Sequence, residues 1–183
     1  MNVLVAEQRA GKSNHGPGVE RRRALVLFSV TVFLVTLTDQ ATKILVAASL
    51  PNGSGRELIP GVLNLVHARN PGAAFGMMSG AAPGLRSLFF IGISVMALIV
   101  ILWLVSQSPR IRWPLLMACS TFFGGTLGNL LDRIRFGEVV DFVDLHVGAW
   151  HWPAFNVADS ALCVGTACFI LHFLTERKAA NTE

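Results

Sequence analysis

Residues 128–160, with the sequence GNLLDRIRFGEVVDFVDLHVGAWHWPAFNVADS, form a polar segment between two long apolar runs, 113–127 and 161–174. A carboxylate is costly near hydrocarbon, so acids at the boundary of an apolar run are candidates for function by default. This segment holds five of the 11 acidic residues of the chain: Asp132, Glu138, Asp141, Asp144 and Asp159. The sequence therefore raises the question of whether two of these acids form a catalytic pair.

The composition is that of an integral membrane protein. The chain has 183 residues, of which 52% are hydrophobic and only 14% are charged, whereas soluble domains carry about 25% charged residues. The net charge of +4 comes mostly from basic residues at the ends of apolar runs, as the positive-inside rule expects. A nucleic-acid partner is not indicated, because the sequence shows no basic face with interleaved aromatic residues. Cys119, Cys163 and Cys168 all lie inside apolar runs, which predicts small buried side chains rather than a disulfide or a metal site.

Hydropathy predicts four transmembrane helices, each close to the ~20 residues that cross a bilayer. The predicted spans are 24–46, 85–105, 113–131 and 155–174. One membrane domain thus occupies residues 24–175, with a disordered cytoplasmic tail at 1–23 and a cytoplasmic C-terminal tail at 176–183. The apolar run after the arginines at 21–23 is longer than the ~7–15 residues of a signal peptide core, so we predict a retained first span.

The basic residues predict the orientation of these spans. In a four-span protein one side receives the arginines at 21–23, Arg110, Arg112, Arg177 and Lys178. The positive-inside rule makes that side cytoplasmic. Both termini are therefore predicted in the cytoplasm, and the polar segments 47–84 and 132–154 on the extracytoplasmic face.

The first extracytoplasmic segment is long enough to need structure of its own. Residues 62–69 (VLNLVHAR) are rich in β-branched residues, partly alternating, and bounded by the turn signals IPG at 59–61 and NPG at 70–72. This pattern predicts a short strand. The predicted fold is all-α, with four transmembrane helices and a small β-rich extracytoplasmic element between helices 1 and 2.

Two motifs outside the acidic segment carry polar or small residues at informative spacings. Asp39 and Lys43 are four residues apart, so they share a helix face and can form an ion pair, which favours a structural role over direct catalysis. The turn at 70–76 (NPGAAFG) is rich in small residues. Small side chains permit the close approach of an extended peptide, although simple helix packing explains them equally well.

The acidic segment itself holds two patterns that, taken singly, are typical of helix termini. Asn129 and Asp132 share a helix face beside Arg133, which alone indicates a hydrogen-bonded cap. Asn156 can cap the last helix and leaves Asp159 in its first turn. Both patterns stand at the same predicted membrane boundary.

Together these patterns suggest acid–base chemistry on Asp141 and Asp159, which flank one extracytoplasmic loop. Two carboxylates about 3 Å apart cannot both ionise, so one can act as general base on water while its protonated partner polarises a peptide carbonyl. This chemistry needs no metal. The other two acids of the loop, Glu138 and Asp144, are expected to be solvated and without a role.

Other chemistries have weaker support. There is no HExxH motif, and His146 and His151 are five apart, a spacing that fits no helical ligand pair and favours a place on a loop surface. Ser79 and His67 stand in no recognisable nucleophile motif. A transporter that uses Asp39, Asp141 and Asp159 as a proton relay remains an alternative, as does a purely structural membrane subunit.

In chain order, the motifs resemble those of a known family. The matching motifs are Asp39-Gln40 with Lys43, Asn70-x-Gly72-Ala73-Ala74-Phe75-Gly76, Gly128-Asn129-x-x-Asp132-Arg133, Val139-Val140-Asp141-Phe142 and Phe155-Asn156-x-Ala158-Asp159-Ser160. The chain resembles the lipoprotein signal peptidases (signal peptidase II) over roughly residues 25–174.

The resemblance implies an intramembrane aspartic endopeptidase of the bacterial cytoplasmic (inner) membrane, with its active site at the extracytoplasmic face. Such an enzyme removes the signal peptide from prolipoproteins by cleaving before a diacylglyceryl-modified cysteine. The implied catalytic residues are Asp141 and Asp159. The residues implied to bind substrate or to position this pair are Asn70, Gly72, Asn129, Arg133 and Asn156. Structural support is expected from Asp39, Lys43 and Asp132.

The implied partners are prolipoproteins, membrane lipids and the cyclic peptide inhibitor globomycin. No metal, cofactor or nucleic acid is expected, and the protein is expected to be a monomer.

Overall fold

The computed structural model describes residues 17–72, 80–108 and 112–180. Its elements in chain order are α1 (Pro17–Ser49), β1 (Gly55–Ile59), β2 (Leu63–Asn70), α2 (Pro83–Gln107), α3 (Trp113–Phe136), β3 (Val139–Val147), β4 (Trp150–His151) and α4 (Val157–Ala180). All four helices contain a segment that is long and apolar enough to cross a membrane. The prediction of four apolar helices is therefore confirmed.

α3 is the central helix of the bundle. Its apolar window is 61% buried, against 11–17% for the windows of the other three helices. Glycines on α3 allow the close approach of its neighbours: a Cβ added at Gly125 would lie 2.5 Å from the carbonyl oxygen of Ala158 on α4, and one at Gly128 would lie 2.5 Å from Oδ2 of Asp39 on α1. Small residues at helix contacts are how membrane helices pack closely. The large exposed side chains of α1, α2 and α4, such as Phe33, Met96 and Phe173, suit a hydrocarbon solvent.

The bundle has two distinct ends. Away from the strands, apolar side chains of α1, α2 and α3 form a core cluster: Phe28, Ile101, Val105, Leu116 and Cys119. At the other end α1 and α3 finish and α4 begins, and the strands lie there. We call it the sheet end. All three cysteines are free. Only Cys119 is buried as predicted, whereas Cys163 is exposed and Cys168 half-buried, because an outward-facing position on α4 is also apolar in sequence.

Both outer helices are longer than their predicted spans. α1 begins at Pro17, so residues 17–23, predicted as a disordered tail, are helical. α4 continues to Ala180, so the predicted C-terminal tail is helical over most of its length. Hydropathy marks where a chain enters hydrocarbon, but a helix satisfies its own backbone hydrogen bonds and continues beyond that point. Residues 1–16 and 181–183 lie outside the described ranges.

The strands form one antiparallel sheet in the order β1-β2-β3-β4. The strand predicted at 62–69 is confirmed as β2. However, the sheet is not confined to the segment between helices 1 and 2, since β3 and β4 come from the segment between α3 and α4. The register places Ala68 opposite Asp141 and Asn70 opposite Val139, after an irregularity between Leu65 and Ala68. This pairing joins the two polar segments of the chain at the sheet end.

Candidate functional site

Five parts of the chain bring polar side chains together at the sheet end. They are the last turns of α1, the end of β2, the last turns of α3, the middle of β3 and the first turn of α4. All ten residues predicted for the site contact another member of the set. Eight of them do so through side chains: Asp39, Lys43, Asn70, Asn129, Asp132, Asp141, Asn156 and Asp159. Gly72 donates its backbone N–H to Asn70, and Arg133 donates to the backbone carbonyl of Asn129 at 3.4 Å.

Asp141 lies on β3 with its side chain turned into the protein and only 2% exposed. Nδ2 of Asn70, at the end of the neighbouring strand, donates a hydrogen bond to Oδ2 at 2.8 Å. Nδ2 of Asn156 donates to Oδ1 at 2.7 Å. Both oxygens of this carboxyl group are therefore held by asparagine side chains from different parts of the chain.

Asp159 lies in the first turn of α4 and forms a reciprocal cap with Asn156. The backbone N–H of Asp159 donates to Oδ1 of Asn156 at 3.0 Å, and the backbone N–H of Asn156 donates to Oδ2 of Asp159 at 3.2 Å. The capping interpretation is thus confirmed. The other oxygen, Oδ1, accepts a hydrogen bond from Nδ2 of Asn129 at 2.9 Å. The cap therefore also fixes the direction of the Asp159 carboxylate.

Asn129 and Asn156 connect the two acids. Nδ2 of Asn156, which donates to Asp141, also lies 3.2 Å from Oδ1 of Asn129, and Asn129 in turn donates to Asp159. The chain returns to this point because residue Phe155 pairs with Val143 on β3. The loop that separates Asp141 from Asp159 in sequence therefore folds back and brings both acids to one site.

Asp141 and Asp159 lie in different electrostatic environments. Burial raises the pKa of this carboxyl group from 3.8 to about 6, and the charge of Asp159 adds to the increase, while hydrogen bonds from Asn70 and Asn156 oppose it. Desolvation disfavours the charged form of a carboxylic acid. Asp159 is less buried than Asp141 and sits at a helix N-terminus, where the helix dipole favours negative charge.

Lys43 lies at the centre of a buried network next to the two acids. Its Nζ lies 2.8 Å from Asp39, 2.9 Å from Asp132 and 3.0 Å from Oδ1 of Asn129. The predicted Asp39–Lys43 ion pair is confirmed, and all three charged groups are at most 3% exposed. A lysine that donates to Asn129 Oδ1 forces the amide nitrogen of that residue toward Asp159.

The two buried acids beside Lys43 also bind backbone groups. Oδ1 of Asp39 accepts the N–H of Ala158 at the start of α4. Oδ2 of Asp132 accepts the N–H of Val140, next to Asp141. The network thereby connects α1 and α3 to the two segments that carry the candidate dyad.

Gln40 belongs to this network, although we assigned it no role from the sequence. Its Nε2 lies 2.9 Å from Asp132 Oδ1 and 3.2 Å from Asp39 Oδ2, and its Oε1 accepts from Arg135 at 2.9 Å. The available signal was its place beside Asp39 in the Asp39-Gln40 motif. A neutral amide beside an acid in a helix is common, so physical reasoning from the sequence gave no ground for assigning Gln40 to the site.

Arg133 and Gly72 lie beside the acids. The guanidinium of Arg133 is 5.3 Å from the ring centre of Phe90, and its charge interacts with Asp132, Asp141 and Asp159. Within the described ranges it makes no hydrogen bond to a carboxylate. Gly72 has φ +87°, donates its N–H to Oδ1 of Asn70, and leaves no room for a Cβ against Phe90. It therefore orients Asn70. The rest of that motif, residues 73–76, lies outside the described residues.

The expectation that Asp144 is solvated was wrong. This residue is 8% exposed and accepts hydrogen bonds from Nδ2 of Asn64 and Nδ1 of His151, each at 2.9 Å. The Asn64 hydrogen bond, followed by that of His151, lowers its pKa below 3.8. His146 and His151 lie on strands rather than on a loop, with their rings stacked 4.9 Å apart. Sequence spacing missed this cluster because it depends on sheet register. Glu138 is half-buried.

The remaining candidates for other chemistries gain nothing from the structure. His67 directs Nδ1 to the carbonyl of Leu50 at 2.8 Å, and Ser79 lies outside the described residues. Within those residues, no three His, Cys, Asp or Glu side chains form a group able to hold a metal ion. The site is defined instead by two carboxylates held in different environments. Such an arrangement is suited to general acid–base chemistry.

Fold and site together define a multi-pass membrane protein with a pair of acids held at one end of its helices. The model of the family described as "Signal peptidase (SPase) II" matches residues 31–175. The chain belongs to this peptidase family.

Individual relatives agree with the family match. The chain is 43% identical over 152 residues to a lipoprotein signal peptidase of Desulforapulum autotrophicum, covering 83% of this chain and 94% of the relative. It is 38% identical over 157 residues to that of Syntrophus aciditrophicus, covering 86% and 98%. A solved bacterial membrane enzyme, determined by the in meso method at 2.3 Å resolution, superposes with a TM-score of 0.73 at 34% identity, covering 82% of this chain and 89% of that one.

Proposed function

We propose that this protein is an intramembrane aspartic endopeptidase that removes the signal peptide from prolipoproteins, cleaving before the diacylglyceryl-modified cysteine. The observation that carries the proposal is the Asn129–Asn156 connection between Asp141 and Asp159. Membership of the signal peptidase II family supports the substrate class. Relatives named lipoprotein signal peptidase support the same substrate.

In this proposal the two acids have different roles. Asp141, buried and with its pKa raised to about 6, is the proton donor, and Asp159 is the general base. Asp159 takes a proton from water as the water oxygen attacks the scissile carbonyl carbon, and Asp141 donates its proton to the carbonyl oxygen. The tetrahedral intermediate then collapses: its hydroxyl returns a proton to Asp141, and Asp159 gives its proton to the leaving amine. Both acids finish as they began.

The neighbouring residues position the reactants. Asn70 and Asn156 orient Asp141, and Asn129 orients Asp159. Arg133 has donors that no carboxylate occupies in the described ranges, so its guanidinium is available to peptide carbonyls of the substrate. Gly72 keeps the chain beside Phe90 compact. Lys43 holds the side chain of Asn129, while Asp39 and Asp132 hold the backbone at Ala158 and Val140.

The place of the site suits a lipid-anchored substrate. A cysteine that carries acyl chains keeps them in the bilayer, so its scissile bond lies at the membrane interface. The acids lie at the helix ends rather than midway along the spans, which favours a peptidase over a proton relay. We propose the cytoplasmic membrane as the location, with the sheet end at the extracytoplasmic face, a monomer as the working unit, and globomycin as an inhibitor.

The test is a gel-shift assay of a diacylated prolipoprotein with purified enzyme, with and without globomycin. Asp141→Asn and Asp159→Asn are expected to abolish processing while the protein stays folded. Asp144→Asn is the matched control, because this buried acid lies on the same strand but outside the dyad. Full processing by the Asp141→Asn enzyme would overturn the assignment. Asp132 would then be the next acid to test.

A further inference from the structure

A small cavity opens at the sheet end between α1, α3 and strand β2. Its volume is about 50 Å³, which holds several waters at about 10–15 Å³ each. Lys43 and Asp132 line it on the side of the site described above, and its other lining residues include Ile44, Arg69, Arg135 and Phe136. Neither acid of the dyad lines it.

The cavity carries an excess of positive charge. Lys43 is neutralised by Asp39 and Asp132. In contrast, neither Arg69 nor Arg135 has an acidic partner within the described parts of the chain. Among the described residues, Arg135 donates only to the neutral oxygen of Gln40, at 2.9 Å. Two guanidinium charges therefore remain uncompensated at the cavity wall.

Arg69 carries the strongest sign of a missing ligand. Its guanidinium lies over the ring of Phe136, 4.5 Å from the centroid. This contact uses the face of the guanidinium and does not involve its N–H donors, which lie in the plane. Nη1 is buried and has no hydrogen-bond partner among the residues that the structure describes. A buried donor left unsatisfied is costly, and an anionic oxygen satisfies it with a charge-assisted hydrogen bond.

The surroundings indicate where such an anion comes from. The cavity lies near the last turn of α1 and at the end of α3, where apolar spans finish. Ile44 is 62% exposed, Ile134 63% and Phe136 54%, so apolar side chains face outward at the same level as the arginines. Arginines at the end of a span reach the interface between hydrocarbon and head groups. The anions present at that depth are the phosphates of phospholipids.

We propose that this cavity binds the phosphate of a phospholipid head group, with Arg69 and Arg135 as its ligands. The guanidinium of Arg69 donates to one phosphate oxygen, and the exposed side chain of Arg135 donates to another. Ile44 and Phe136 contact the upper part of the acyl chains. The site is separate from the peptidase dyad, and its occupancy is measurable without any cleavage.

The test is native mass spectrometry of the full-length protein, released from detergent, with dioleoyl phosphatidylglycerol as the probe. We expect one saturable lipid on the wild-type protein. Arg69→Gln and Arg135→Gln are each expected to weaken binding about tenfold, the effect of one lost charge-assisted hydrogen bond. Arg56→Gln is the matched control, because this exposed arginine lies on β1 outside the cavity. It is expected to bind like the wild type.

Two further measurements test whether Arg135 takes part in binding and whether the ligand is a lipid or free phosphate. Arg135 is exposed, so its variant remains informative even if Arg69→Gln lowers the melting temperature of the lipid-free protein. Equal lipid binding by Arg135→Gln and Arg56→Gln would overturn the proposal. Inorganic phosphate is tested as a competitor and is expected to displace the lipid poorly. If inorganic phosphate instead displaces the lipid at equal concentration, the lipid assignment is wrong and the cavity is a site for free phosphate.

Discussion

Nδ2 of Asn156 lies 2.7 Å from Oδ1 of Asp141, while Oδ1 of the same asparagine caps α4 through the backbone N–H of Asp159. One fully buried side chain thus serves both acids at once. It holds the first by its amide nitrogen and fixes the second by starting the helix on which it lies.

These two tasks of Asn156 can be separated by substitution. Asn156→Ser keeps an N-cap oxygen but removes the donor to Asp141, whereas Asn156→Ala removes both. We expect both variants to lose about 100-fold in kcat/KM, because the reacting groups are no longer held in place. Only the alanine variant is expected to lose a further ~1 kcal/mol of stability from the missing cap. Cleavage assays and thermal unfolding measure the two effects; a serine variant with wild-type activity would contradict the positioning role.

The protonation of Asp141 predicts the pH dependence of activity. Its carboxyl group, with a pKa of about 6, must keep a proton to act as the acid. We therefore expect kcat/KM, which reports the free enzyme, to fall by about tenfold per pH unit on the alkaline side of that value. The measurement is the cleavage rate of a diacylated substrate at low concentration across neutral pH. A flat profile there would show that Asp141 is not the proton donor.

The same raised pKa predicts how stability depends on pH. In the folded state Asp141 keeps its proton up to about pH 6, whereas in the unfolded chain the same group loses its proton near its ordinary pKa of 3.8. The contribution of this group to the stability of the fold is therefore fully present below pH 3.8 and is lost as pH rises through about 6. Asp141→Asn removes that fall, so its stability relative to wild type is expected to rise between these values by up to about 3 kcal/mol.

For Asp144 we expect the opposite dependence of stability on pH. Its folded-state pKa is lowered below 3.8, so its stabilisation is full above 3.8 and disappears as pH falls through the folded value. Asp144→Asn is therefore expected to destabilise the protein at neutral pH and to cost less in acid. Thermal unfolding of both variants across pH measures the two trends. Parallel trends for Asp141→Asn and Asp144→Asn would contradict the assigned environments.

Removal of Lys43 is expected to be severe. Lys43→Met leaves Asp39 and Asp132 buried without their cation, and breaking a buried pair in this way costs about 3–5 kcal/mol. The control is Arg112→Gln, which breaks an ion pair with Glu176 whose side chains are 59% and 45% exposed. An exposed pair contributes about 0–1 kcal/mol. Unfolding of both variants in the same detergent compares them. Equal losses would show that the Lys43 network is not a buried ion cluster.

Sequence reasoning predicted the helices well because hydropathy reports directly on burial in hydrocarbon. It also placed Asp39 with Lys43 and Asn156 with Asp159, since helix periodicity fixes contacts three or four residues apart. The ends of α1 and α4 were missed because the sequence signal for a span stops at the membrane, whereas the helix does not.

Contacts made through the sheet lay beyond the reach of sequence patterns. β3 begins with a nearly continuous buried run, so its first half lacks the alternation that marks a strand. The pairing of Asn64 with Asp144 depends on the register of β2 against β3, which no local pattern encodes. Gln40 was missed for a related reason, because its partners other than Asp39 come from α3, far along the chain.

The double task of Asn156 also links activity to the least secure part of a helix. Helix ends fray before helix centres do. Fraying of the first turn of α4 releases Asn156 from Asp159 and, with the same motion, from Asp141. The enzyme is therefore expected to become inactive on warming before its bundle unfolds, with amide hydrogen exchange at Asp159 and Ser160 accelerating in step with the loss of turnover.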